Sequence, residues 1–227
     1  GAPPGPGVGR SPAAMVWLGY DAPPNHGLDP RSAAVADDAR ARAGADGLNR
    51  FLAGLRAARP DPPAHVTAVG HSYGSLVVGL AAEHSGGAGL DDVVLVGSPG
   101  AGVQRADQLG VGAGHVYTAT AACDPVGRLP AVGELGASMV LGGVPGAVAG
   151  QALGPGQLWF GRDPAGADFG AHRFGVAPGD PGHAFASHSA YFDESSDGPS
   201  ESLANLGRVV AGRGAEVTPQ GRSAGRG

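Results

Sequence analysis

The chain has 227 residues, enough for one domain with a full core. Charged side chains make up 15% of it and the formal net charge is −5, which argues against nucleic acid or an anionic membrane surface as a partner. Cys123 stands alone, so an internal disulfide is excluded, and no stretch reaches the ~18 uninterrupted apolar residues of a membrane-spanning helix.

Lysine and isoleucine are absent, a bias that points to a high-GC genome and to Ala/Gly enrichment by codon drift. The chain starts at Gly1 with no signal peptide, so localisation stays open and an internal fragment or processed product is expected.

Residues 1–13 are rich in Gly and Pro and read as a loose lead-in to a domain over 14–212. Met15–Gly19 reads as a short buried strand, ended by Asp21-Ala22-Pro23-Pro24. A helix is expected from Pro30 to Ala58, with Leu48, Phe51, Leu52 and Leu55 as its core-facing stripe. The breaker Pro60-Asp61-Pro62-Pro63 precedes a strand, His65–Val69, and then a helix to about His84. Asp92–Gly97 is continuously apolar after its first residue, as in a parallel sheet. His115–Ala121 is the next strand and His172–Ala177 the last. Residues 137–158, broken by glycines and Pro145, read as an irregular loop or an apolar flap. Ser200 caps a closing helix with the stripe Leu203, Leu206, Val209 and Val210. From Arg213 to Gly227 a disordered tail is expected. The alternation predicts a doubly wound, mostly parallel α/β sheet.

Gly70-His71-Ser72-Tyr73-Gly74 lies between a strand and a helix, the setting of a nucleophile elbow in α/β-hydrolases. With 43 glycines present, about 0.5 such patterns arise by chance, so the flanking elements carry the assignment. Ser72 is then the nucleophile, and the Tyr73 N–H an oxyanion donor. The alternative is an ordinary surface serine on a glycine-rich turn.

In such enzymes the acid and the histidine follow the serine in that order. Asp124, directly after the second strand past the elbow, is the leading acid. Asp163 is the reserve and Asp168 a weaker one; an aspartate before Pro125 is also a common turn. Of eight histidines, His71 sits inside the elbow with its side chain directed away from that of Ser72. His65 and His115 begin strands, and His26 and His84 precede any acid. His172 starts the last strand, leaving His188 as the favoured base and His183 as reserve, both in the loop after it. His188 precedes the aromatic pair Tyr191-Phe192, which can anchor that loop. Trp17, Trp159, Phe160 and Tyr191 are candidates for a pocket lining or for core.

Five blocks together resemble an uncharacterised α/β-hydrolase domain family of actinobacteria: Val16–Pro24, Gly70–Ser75, Val94–Gly100, Phe160–Pro164 and His188–Asp193. The resemblance spans about residues 15–212. It implies an α/β-hydrolase fold with Ser72 as nucleophile and His188 as base, and it supports Asp124 as acid. It also implies that Met15–Gly19 is the strand just before the elbow strand. The strand supplying the second oxyanion N–H then lies upstream of Gly1, so the fold is expected to lack its N-terminal strands.

The reading is a serine hydrolase acting on small esters of modest acyl chain, with no cofactor and no metal. Thioester, amide and acyl-transfer chemistry use the same triad. The alternative is a non-catalytic or truncated hydrolase-fold module that binds other proteins.

Overall fold

A computed structural model describes residues 12–21, 38–58, 63–128, 156–195 and 198–220. In chain order it contains α1 (Ala39–Ala58), β1 (Thr67–His71), α2 (Tyr73–His84), β2 (Asp92–Val96) and β3 (Val116–Ala119). The short strands β4 (Gln157–Leu158), β5 (Gly161–Arg162) and β6 (His172–Arg173) follow, then α3 (Ala184–Ser189), β7 (Glu194–Ser195), β8 (Gly198–Pro199) and α4 (Glu201–Val210). Strands β1, β2, β3 and β6 lie side by side in that order, all parallel; β4–β5 and β7–β8 are small antiparallel hairpins.

A parallel sheet must be covered on both faces, and β2 shows how the sequence arranges it. All five of its residues are buried. Val93 and Leu95 face the side covered by α1 and α2, through Ala45, Leu48, Leu52, Leu76, Val77 and Leu80. Val94 and Val96 face the other side with Tyr117 and Ala119, under Phe174, Tyr191 and the α4 residues Leu206 and Val209. The α1 stripe differs from the expected one. Leu48 and Leu52 are buried, but Phe51 is 38% exposed, and the small residues Ala41, Gly44 and Ala45 continue the contact. Small residues let α1 lie close to α2, where Gly44 approaches Val77.

Asp92, first in β2 and buried, accepts hydrogen bonds from His65 Nε2 at 2.7 Å and His115 Nδ1 at 2.9 Å. One carboxylate thereby ties the amino ends of three neighbouring strands. At the opposite chain end, Ser200 caps α4 through its hydroxyl and the Leu203 N–H, as the sequence predicts.

Three expectations are corrected. Met15–Gly19 is not a strand: it has no sheet partner among the described residues, with Val16 87% and Leu18 82% exposed. Only Trp17 packs, approaching Gly47 of α1 and stacking on Tyr20. An apolar run becomes a strand only when a neighbour takes its backbone groups. The last core strand is cut to His172–Arg173: Phe174 N–H still donates to Thr118 of β3, but Gly175 N–H goes to the Thr218 carbonyl, and Phe174 bridges Pro219. The tail is accordingly ordered through residue 220, fastened by Asn205 to Thr218 and by Gln220 to Arg173. The early part of the helix read over 30–58, residues 1–11, and all of the 137–158 flap except 156–158 lie outside the described residues.

Two helical glycines separate packing from propensity. A methyl on Gly79 would stand 2.1 Å from the Ala101 carbonyl oxygen, whereas one on Gly207 would meet nothing within 4 Å among the described residues. Gly79→Ala should lower stability by about 1–3 kcal/mol despite the better helix former. Gly207→Ala should raise it by about 0.5–1 kcal/mol. Urea unfolding midpoints of the two variants check both signs.

Candidate active site

Parallel strands bring their carboxyl ends to one edge, and the candidate residues gather there. Ser72 follows β1 with φ 53° and ψ −129°. Among the described residues only Ala88 shares a positive φ without being glycine. Such a conformation costs on the order of 1–3 kcal/mol and persists because its surroundings hold it. Here the Ser72 N–H donates to the Val96 carbonyl of β2, and the Ser72 carbonyl accepts from Ser75 N–H. Gly70 is required: a methyl there would lie 2.7 Å from Ser75 Cα. Gly74 faces open space among the described residues, so the second glycine of the pattern has no steric duty.

Asp124 closes the turn after β3 and is 1% exposed. Its Oδ1 accepts the Val126 N–H at 2.8 Å, and its Oδ2 accepts the Tyr191 hydroxyl at 2.6 Å. His188 Nδ1 lies 3.0 and 2.9 Å from the two oxygens. A carboxylate only accepts, so Nδ1 carries a proton, and in the neutral ring Nε2 keeps its lone pair. Burial pushes the Asp124 carboxyl up, but the hydrogen bonds from His188 and Tyr191, the charge of the His188 ring and the Val126 N–H outweigh it, holding it below the usual carboxylate range.

His188 is 9% exposed and sits near the end of α3, not in a loop as the sequence reading has it. Sequence reasoning missed three of its supports. His71, next to Ser72, donates from Nε2 to the His188 carbonyl at 2.7 Å, its ring 4.7 Å from that of His188. Burial pushes the His71 imidazole down, so it is neutral near pH 7. Tyr191 bonds the acid directly. Gly97, just past β2, has φ +53°, and a methyl there would stand 2.8 Å from Asp124 Oδ2 and 3.0 Å from His188 Nδ1. Only the aromatic pair after His188 gave a local signal for any of these.

The other candidates lie apart from this pair. Asp163 accepts the Ala165 N–H in its own turn, and burial pushes its carboxyl up. Among the described residues no imidazole bonds it. Asp168 is exposed and pairs with Arg162. His183 pairs with Asp180 on the surface, its side chain 76% exposed. Tyr73 opens α2, where the positive end of the helix dipole lies, and its ring packs between Tyr20 and Phe160. Trp159 and Phe160 belong to the core on that face. Among the described residues no group of three or more His, Cys, Asp or Glu side chains is arranged to hold a metal.

The chain belongs to an alpha/beta hydrolase family, whose model matches residues 5–134, including Ser72 and Asp124 but ending before His188. An uncharacterised protein of Mycobacterium bovis (strain ATCC BAA-935 / AF2122/97) is 45% identical over 127 residues, 56% of this chain and 45% of that protein. An uncharacterised protein of Mycobacterium tuberculosis (strain CDC 1551 / Oshkosh) is 33% identical over 211 residues, 92% of this chain and 30% of that protein. The chain thus spans less than half the length of these curated relatives. No solved structure matches it.

The depressed Asp124 carboxyl fixes a pH dependence. Its stabilising share is present above the unfolded value of about 4 and is lost as pH falls through the lower folded value. Asp124→Asn should therefore cost about 1–3 kcal/mol at pH 7. The gap between variant and parent in urea midpoint should shrink progressively below pH 4. A gap that stays constant to pH 2 would show that the charge of Asp124 is not what stabilises.

Proposed function

We propose that the chain is a serine hydrolase acting on small ester substrates through an acyl-enzyme. The observation that carries this reading is the buried hydrogen bond between Asp124 and His188, at the same sheet edge as a serine in a left-handed elbow. Ser72 Oγ attacks the ester carbonyl while His188 Nε2 takes its proton. Asp124 stays ionised, orients the ring and stabilises the imidazolium. The Tyr73 N–H holds the oxyanion. The imidazolium then protonates the departing alcohol, and water activated by His188 releases the acid and restores Ser72. His71 holds the backbone of His188 while its own ring stays neutral.

The second oxyanion N–H comes, in this reading, from a strand that pairs with the open edge of β1. Among the described residues β1 ends the sheet, with Val69 37% exposed, which supports it. The same edge favours a second reading, in which this chain is a hydrolase-fold module that binds partners without turnover. Losing one such donor typically costs ~100–1,000-fold in turnover, so slow catalysis separates from none.

A fluorophosphonate probe should label the folded chain at Ser72, and Ser72→Ala should abolish labelling. His188→Ala should slow labelling by about 100-fold or more, whereas His183→Ala leaves it unchanged. A folded parent that is never labelled favours the module over the enzyme.

A further inference from the structure

Tyr191 is fully buried in the turn Ala190–Phe192 after α3. Its hydroxyl accepts the Ala121 N–H at 2.9 Å and donates to Asp124 Oδ2 at 2.6 Å. The same oxygen receives the His188 Nδ1–H at 2.9 Å, so two donors share one carboxylate oxygen. Anchoring the loop does not need this contact. The Tyr191 backbone carbonyl is already held by Ser202 Oγ at 2.7 Å, and the ring is packed among Val94, Val96 and Leu206 in the core.

We propose that Tyr191 is a positioning residue that sets how strongly Asp124 acts on His188, an inference that rests on His188 being the base. The hydroxyl draws electron density from Oδ2, so less of the carboxylate charge reaches the imidazole. The imidazolium is then less stabilised than beside an unshared carboxylate. The same bond fixes the carboxylate plane, which lets Nδ1 face both oxygens at once.

The surroundings leave this contact as the adjustable one. From β1 comes His71, neutral near pH 7 and therefore without charge to contribute. From β2 comes Gly97, which has no side chain. Beside Asp124, Cys123 packs toward Gly179. Burial and the bond to Asp124 push the Tyr191 phenol far up, so it remains a donor at every working pH.

The test reads the His188 imidazole directly by NMR titration, its signal assigned by loss in His188→Gln. Tyr191→Phe should raise the midpoint by about half a pH unit or more. Replacing Tyr191 with 3-fluorotyrosine keeps the shape and strengthens the donor, so it should lower the midpoint. That second variant carries the test if the phenylalanine chain does not fold. Midpoints that stay put in the folded variants, whatever happens to thermal stability, overturn the proposal. Probe labelling at Ser72 is scored separately in the same proteins. An unlabelled parent whose His188 midpoint moves as stated sinks the hydrolase reading and supports the coupling. In labelled proteins, the acidic limb of the labelling rate should shift with the midpoint.

Discussion

A buried carboxylate organises the carboxyl edge of this sheet. An isolated charge as buried as Asp124 would cost far more than a domain's whole margin of stability, so it must be surrounded by donors. The donors come from separate parts of the chain: Val126 from the turn itself, His188 from α3 and Tyr191 from the turn beyond. Satisfying one charge therefore joins parts of the chain 64 and 67 positions apart. Gly97 leaves the space in which they meet, and α4 locks the far side through Ser202.

The same packing sets the protonation states around His188. Asp124 is held below its usual range, Tyr191 well above its own, and His71 is pushed down by burial. Near neutral pH each of the three is locked in one form: anion, neutral donor and neutral ring. Environments that push neighbouring groups apart in this way are what acid–base chemistry at one pH requires.

Much of the fold was legible because local pattern and final environment agree. The apolar run after Asp92, the small-residue helix behind Ser72 and the Ser200 cap each state their burial in adjacent residues. That Asp124 and His188 come together was legible from their chain order after a strand. What failed needed knowledge of a neighbour. Met15–Gly19 has the composition of a strand but no partner to pair with among the described residues, and the tail after Arg213 looks polar until Asn205 and Arg173 claim its backbone. His71 and Tyr191 act across 117 and 67 positions, distances at which no spacing rule speaks.

Glycine content shows why the elbow had to be argued from context. At Gly70, Gly79 and Gly97 a methyl would strike backbone or the Asp124–His188 pair, whereas Gly54, Gly74, Gly114 and Gly207 meet nothing within 4 Å among the described residues. The chain thus carries glycines of two kinds, those a close approach demands and those compositional drift left in open positions. The elbow pattern contains one of each. Its first glycine reports strand–helix contact, its second reports only composition, and the physical signature of the turn is the left-handed Ser72 itself. A motif written as letters weights both glycines equally. The geometry weights one glycine, one strained serine and the carboxylate that brings His188 to the same edge.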